Sequence, residues 1–319
     1  MEGEPELYVR LARGKSVHRI LRNLLIVPIE APRGDREVQM GKITAIAVNV
    51  LLVCSMLRAQ GVLSPHAYLR DGVIEHHGTT ATVKADFGVP LAQAVAVVSA
   101  EYGWAIHYED PPYQSKYDVM DGVNPQYRAT HPDTPIVPVP SGGAFQSTYP
   151  ETSNMWVSTS MEQQVLEKIV SDYNLSGNPG NFAVRQLSDG SFDVVGISVR
   201  NDSGALVAIA PVLDTQISIP LEARTFDGTI TTVLNALTTK TGFGMVIGAV
   251  PMNALNSPWT GITVGGSIAP ARDLLMSAID PMMKNHYVWD LLYRPRDQRY
   301  VFNLRHIARV EHNTFIPNQ

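Results

Sequence analysis

The chain has 319 residues, 45% of them hydrophobic and 17% charged, with a formal net charge of -5. That length fits about two domains of ordinary size with cores of their own. The acidic balance excludes a protein that coats nucleic acid, which needs surplus Lys and Arg on one face. The single cysteine, Cys54, excludes an internal disulfide, a thiolate zinc site and a CxxC redox pair.

Residues 1–39 show no continuation into the rest of the chain and read as an upstream extension from a start codon placed too early. From Met40 the sequence has the layout of a secretory signal peptide: Lys42, an apolar stretch, then Leu57-Arg58-Ala59 before Gln60. Cleavage after Ala59 is expected, which makes the mature protein periplasmic or otherwise exported, without a permanent membrane span. The apolar core is short of the ~20 residues that cross a bilayer comfortably. A signal anchor in the inner membrane is the alternative, and a lipid-bearing Cys54 ranks third because bulky Val53 precedes it.

Residues 60–79 form a polar lead, and a first unit is expected over 80–211. Thr80 to Phe87 alternates like a strand. Pro90 suits the first turn of a helix, where its missing N–H costs nothing, and Leu91, Ala94, Val95 and Val98 give that helix an apolar face. Gly103 ends it and Ala105 to Glu109 resumes as strand. Asp110 to Pro150, rich in Pro and Tyr, reads as a long surface loop. A second helix follows, with Ser160 and Gln163 as a capping box and Val165, Leu166, Ile169 and Tyr173 as its buried face. Two strands then flank the turn Asp189-Gly190, and another hairpin around Asn201 to Gly204 ties this unit to the next.

The pattern recurs over residues 212–310, leaving 311–319 as a tail. At a gap-free offset of 139, Phe87 matches Phe226, Leu91 matches Ile230, Ala94 matches Val233, Val95 matches Leu234, Val98 matches Leu237, and Gly103 matches Gly242. Any amphipathic helix reproduces the apolar spacing; the flanking Phe and the Gly-aromatic pair, Gly103-Trp104 against Gly242-Phe243, fix both helix ends and make the match informative. Pro270 opens a later helix with Leu274, Leu275, Ala278 and Ile279, and strands at Tyr287 to Tyr293 and Arg299 to Leu304 close the unit. The fold class expected is α+β: two tandem copies of a small β-α-β-β-α-β-β unit, each a mixed sheet with two helices.

This order of elements in residues 215–305 resembles the short secretin and TonB N-terminal domain. The likeness is carried by Ile219 to Phe226, Ile230 to Leu237, Gly242 to Val246, Ile262 to Val264, Leu274 to Ile279 and the closing hairpin. Residues 80–109 and 155–198 look like a more divergent copy. With Tyr108 to Pro112 and Trp289 to Tyr293, the whole also resembles a group of exported bacterial proteins whose activity is unassigned. The resemblance implies a module that engages other envelope proteins; no cofactor is expected. No secretin ring or barrel strands follow Leu304, so the sequence given does not itself supply a pore.

Candidate chemistry is sparse. His107 and Glu109 share one face of a strand, and the polar side of a half-buried strand is the reading preferred for them; as a base beside a carboxylate they keep open the alternative of an enzyme acting on an envelope polymer. His76 and His77 beside Glu75 lack metal-ligand spacing and point apart on an extended chain. Arg294, Arg296 and Arg299, with Arg305 and Arg309, gather at the last hairpin and suit an acidic envelope protein, docked by strand addition to the hairpin's edge. Tyr113, Tyr117, Tyr127 and Tyr149 in the long loop are a second candidate surface.

Overall fold

The structure, a computed structural model, describes residues 72–86, 88–152, 159–252, 260–283 and 287–307. These lie in one of the two units into which the chain divides, Leu63–Gln319. The extension 1–39, the signal peptide 40–59, the tail 311–319, Phe87 and Arg309 fall outside the described residues.

The fold is mixed α+β. The segment expected as a polar lead supplies a strand, β1 (Val73–His76), which pairs antiparallel with β2 (Thr80–Ala85). Helix α1 (Pro90–Tyr102) starts at its proline and stops at Gly103, whose φ of 68° is the left-handed conformation that a side chain resists. Leu91, Ala94, Val95 and Val98 are fully buried, as their spacing required. The chain returns as β3 (Ile106–Glu109), buried on both faces rather than on one.

Residues 110–150 are not an unstructured loop. They contain β4 (Val119–Asp121), α2 (Pro125–Thr130), β5 (Pro138–Pro140) and β6 (Phe145–Pro150). The last of these joins β2 to make a three-stranded sheet in the order β1-β2-β6. The alternation in β6 was readable: Phe145, Ser147 and Tyr149 face inward while Gln146, Thr148 and Pro150 face out.

Helix α2 is followed, after β6, by α3 (Thr159–Leu175), whose buried residues include Val165, Leu166, Ile169 and Tyr173. The capping box is not made there: the Gln163 amide donates to Glu167, and the Ser160 hydroxyl accepts from Gln164 within the helix. Strands β7 (Asn181–Gln186) and β8 (Phe192–Arg200) form the expected hairpin, and β9 (Leu206–Ala208) folds back on β8.

After a 3-10 turn at Val212–Asp214 come β10 (Gln216–Ile217), β11 (Glu222–Thr225) and α4 (Phe226–Thr241). Thr225 caps α4 by accepting from the Gly228 N–H, and Gly242 ends it at φ 78°. Then follow β12 (Gly244–Ile247), β13 (Thr260–Val264), β14 (Ala269–Pro270), α5 (Ala271–Met283), β15 (Tyr287–Arg294) and β16 (Arg299–His306).

Three pairings recur in the two halves. Strand β2 runs antiparallel to β6, as β11 does to β13; β3 runs parallel to β8, as β12 does to β16; β7 and β15 each return antiparallel to the strand after them. The halves do not keep separate sheets, however. Strand β15 pairs parallel with β3, giving one seven-stranded sheet with the path β12-β16-β15-β3-β8-β7 and β9 attached to β8. An open edge on either half would leave backbone N–H and C=O groups unpaired, and joining the two edges satisfies both. Helices α1, α3, α4 and α5 lie against these sheets over one continuous apolar core, to which α2 contributes no buried residue.

Candidate functional site

The two halves meet at a buried charged cluster built from four elements. Glu109 on β3 and Asp193 on β8 are fully buried, and the first turn of α5 brings Arg272 onto both. One guanidinium nitrogen lies 2.5 Å from Glu109 Oε2, another bonds Asp193 Oδ2, and Nε donates to Asp214 Oδ1 at 3.1 Å. Glu109 Oε1 also accepts from the Leu213 N–H at 3.1 Å, and Arg185 reaches the second oxygen of Asp214 at 2.7 Å. Burial pushes the Glu109 carboxyl up and that of Asp193 up to about 7, against the pull of Arg272. Asp193 Oδ1 has no hydrogen-bond partner among the described residues.

His107 sits beside this cluster in a fully enclosed place. Its Nδ1 accepts from the Trp289 backbone N–H at 3.2 Å, its ring stacks on Trp289 with centroids 4.9 Å apart, and Arg272 lies 5.5 Å over the same indole. Burial lowers the His107 pKa to about 3, so the ring is neutral and its proton resides on Nε2. The pair His107 and Glu109 is thus 1% and 0% exposed and engaged by protein groups. That corrects the expectation of an accessible base and carboxylate: in place of solvent on one face of the strand, the first turn of α5 and the ring of Trp289 cover it.

Next to it, Asp110 takes three donors, Tyr108 Oη at 2.7 Å, Tyr113 Oη at 3.1 Å and the Tyr293 N–H at 3.0 Å. Burial nevertheless raises its carboxyl to about 7. An acid held higher in the folded state than its usual 3.8 adds stability that is present below about pH 4 and lost as the pH rises through 7. Asp110→Asn, which keeps an acceptor for the tyrosines, is expected to remove close to one proton's worth of that slope, read from urea midpoints between pH 4 and 8.

Two arginines of the last hairpin come together around Asp297. Arg294 and Arg299 are cross-strand partners, and their guanidinium groups bond Asp297 Oδ2 at 3.2 and 2.7 Å. Arg296 is exposed at the turn. Arg305 is drawn away into a bidentate pair with Asp290, both contacts 2.7 Å. Strand addition at this hairpin is excluded by the sheet path, because β16 is already paired with β12 and β15 with β3. What the turn offers is side-chain charge, not a backbone edge.

Of the four loop tyrosines, Tyr113 and Tyr149 are buried and Tyr117 and Tyr127 are exposed. The inserted segment is pinned to the β8–β9 hairpin by buried Asp118, which takes the Arg200 N–H at 2.7 Å and its Nη1 at 2.8 Å. His76 and His77 turn to different carboxylates, Glu151 and Glu75 respectively. Among the described residues no group of three or more His, Cys, Asp or Glu is placed to hold a metal ion, and no helix is long and apolar enough to cross a membrane. No family model, curated protein or solved structure matches the chain.

Sequence reasoning missed Arg272 and Asp193. Arg272 is the second residue of its helix, where a cation is unfavourable against the macrodipole, and that misplaced charge was the available sign of a buried acidic partner.

Proposed function

We propose that this chain is an exported, periplasmic binding or envelope-assembly module made of two tandem copies of one unit related to the short secretin and TonB N-terminal domain. It recognises an acidic envelope protein through Arg294, Arg296 and Arg299. The duplication is supported by the three pairings repeated in order and sense, by Gly103 and Gly242 ending the helices α1 and α4 in the same left-handed conformation, and by Leu166 and Leu275, fully buried on α3 and α5.

The observation that carries the binding reading is the organised basic turn. Asp297 fixes two guanidinium groups by one oxygen, which reduces the rotamer freedom they lose on meeting a carboxylate, and Arg296 stands exposed between them. Long-range attraction at such a surface weakens with salt.

Photo-crosslinking from a probe placed at Gln298, exposed on the same turn, tests this in intact envelopes. A crosslinked acidic protein is expected, falling about tenfold in the Arg294→Ala, Arg296→Ala, Arg299→Ala triple variant and fading above ~0.3 M salt, with an unchanged melting temperature. Equal capture by the triple variant, or a mature N-terminus at Met1 in the cytosol, would overturn the reading.

A further inference from the structure

The end of β1 meets two other elements through one histidine. His76 Nδ1 lies 2.9 Å from both oxygens of Glu151, the residue that follows β6, and its Nε2 lies 3.5 Å from Glu101 in the last turn of α1. Glu151 is held in place: its backbone N–H donates to the Thr79 carbonyl at 2.8 Å, and Tyr102 Oη donates to its carboxylate at 2.9 Å, with Tyr149 Oη 3.3 Å from that hydroxyl. On β1 itself Glu75 faces Lys84 at 2.6 Å and His77 at 3.7 Å. The charged groups facing the His76 ring among the described residues are therefore the two carboxylates, with the Tyr102 hydroxyl behind one of them.

A neutral imidazole has one N–H and one lone pair, so with a carboxylate at each nitrogen one contact would be lone pair against lone pair. The imidazolium donates to both. We propose that His76 is a proton-operated clamp: charged, it closes the corner where β1, the last turn of α1 and the end of β6 meet, and loss of its proton opens that corner.

The hydrogen bond to Glu151, with the charges of Glu151 and Glu101 behind it, raises the His76 pKa above its usual 6.5. The stability this group contributes is complete below pH 6.5 and is lost as the pH rises through the higher folded value. Side chains 45% and 42% exposed at His76 and Glu101 keep the effect local and moderate.

The test uses the full chain. NMR titration of the His76 ring is expected to give a midpoint above 6.5. Hydrogen exchange of the β1 amides, corrected for intrinsic rates, is expected to lose protection by about three- to fivefold between pH 5.5 and 8.5. Glu151→Gln should move the midpoint back towards 6.5 and flatten the exchange profile, and His76→Gln should flatten it with little change at pH 8.5. A wild-type midpoint at or below 6.5, or β1 protection that does not change with pH, would overturn the clamp.

Discussion

Replacing Arg272 with Met is expected to lower the stability by about 3–5 kcal/mol at pH 8, because it leaves Glu109 and Asp193 buried without their cation. The loss has a signature that distinguishes charge from packing. Both carboxyls already stand above their usual values in the folded state, and without Arg272 they rise further, so the folded protein binds protons that the unfolded chain does not. Stability of the variant therefore recovers as the pH falls, and urea midpoints at pH 5 should show a clearly smaller deficit than at pH 8. Adding Glu109→Gln and Asp193→Asn to the Met variant is expected to restore more than half of the deficit at pH 8. An equal deficit at both pH values would show that shape at α5, and not the charge, is what Arg272 provides.

Trp289→Ala is expected to cost a similar amount, about 3–5 kcal/mol, through loss of a fully buried indole and the cavity it leaves. The indole is the surface on which His107 stacks and over which Arg272 lies, so its removal also changes an ionisation. In the wild type His107, held near pKa 3, contributes stability that is present above pH 6.5 and lost as the pH falls through 3. Opening its surroundings to water should move the ring back towards 6.5, visible by NMR, and make the variant less sensitive to acid than its overall stability suggests. A stable variant with His107 still unprotonated at pH 5 would mean that the neighbouring strands alone bury the ring.

Helices α1, α3, α4 and α5 were legible in the sequence because their information is local, whereas the short α2 lay in a segment read as a loop. Leu91, Ala94, Val95 and Val98 mark one face within eight residues, and Pro90 and Gly103 mark the ends through backbone constraints of their own. The closing hairpin and the β7–β8 hairpin were legible for the same reason. The sheet order was not, because the pairing of β15 with β3 joins residues more than 180 positions apart, and nothing in either strand's alternation names its neighbour. The candidate site suffered from this twice. His107 and Glu109 alternate like a strand with one wet face until Arg272 and Trp289 arrive from the other half, and the hairpin at Arg294 looked like an open edge until β3 and β12 took its sides. Where alternation was present but overlooked, as in Phe145, Ser147 and Tyr149, the surrounding Pro, Gly and Ser masked a strand that belongs to β2.

The parallel pairing of β15 with β3 also sets an order of events during synthesis. Strand β3 emerges early, yet the strand that occupies one of its edges emerges only with residues 287–294, so from the emergence of β8 at Phe192–Arg200 until then β3 has β8 on one side and an open ladder on the other. Such long-range closure is slow to form, and an uncovered edge recruits other chains. A product truncated before Tyr287 would carry that edge permanently and would be prone to self-association, because β15 is the strand that covers it.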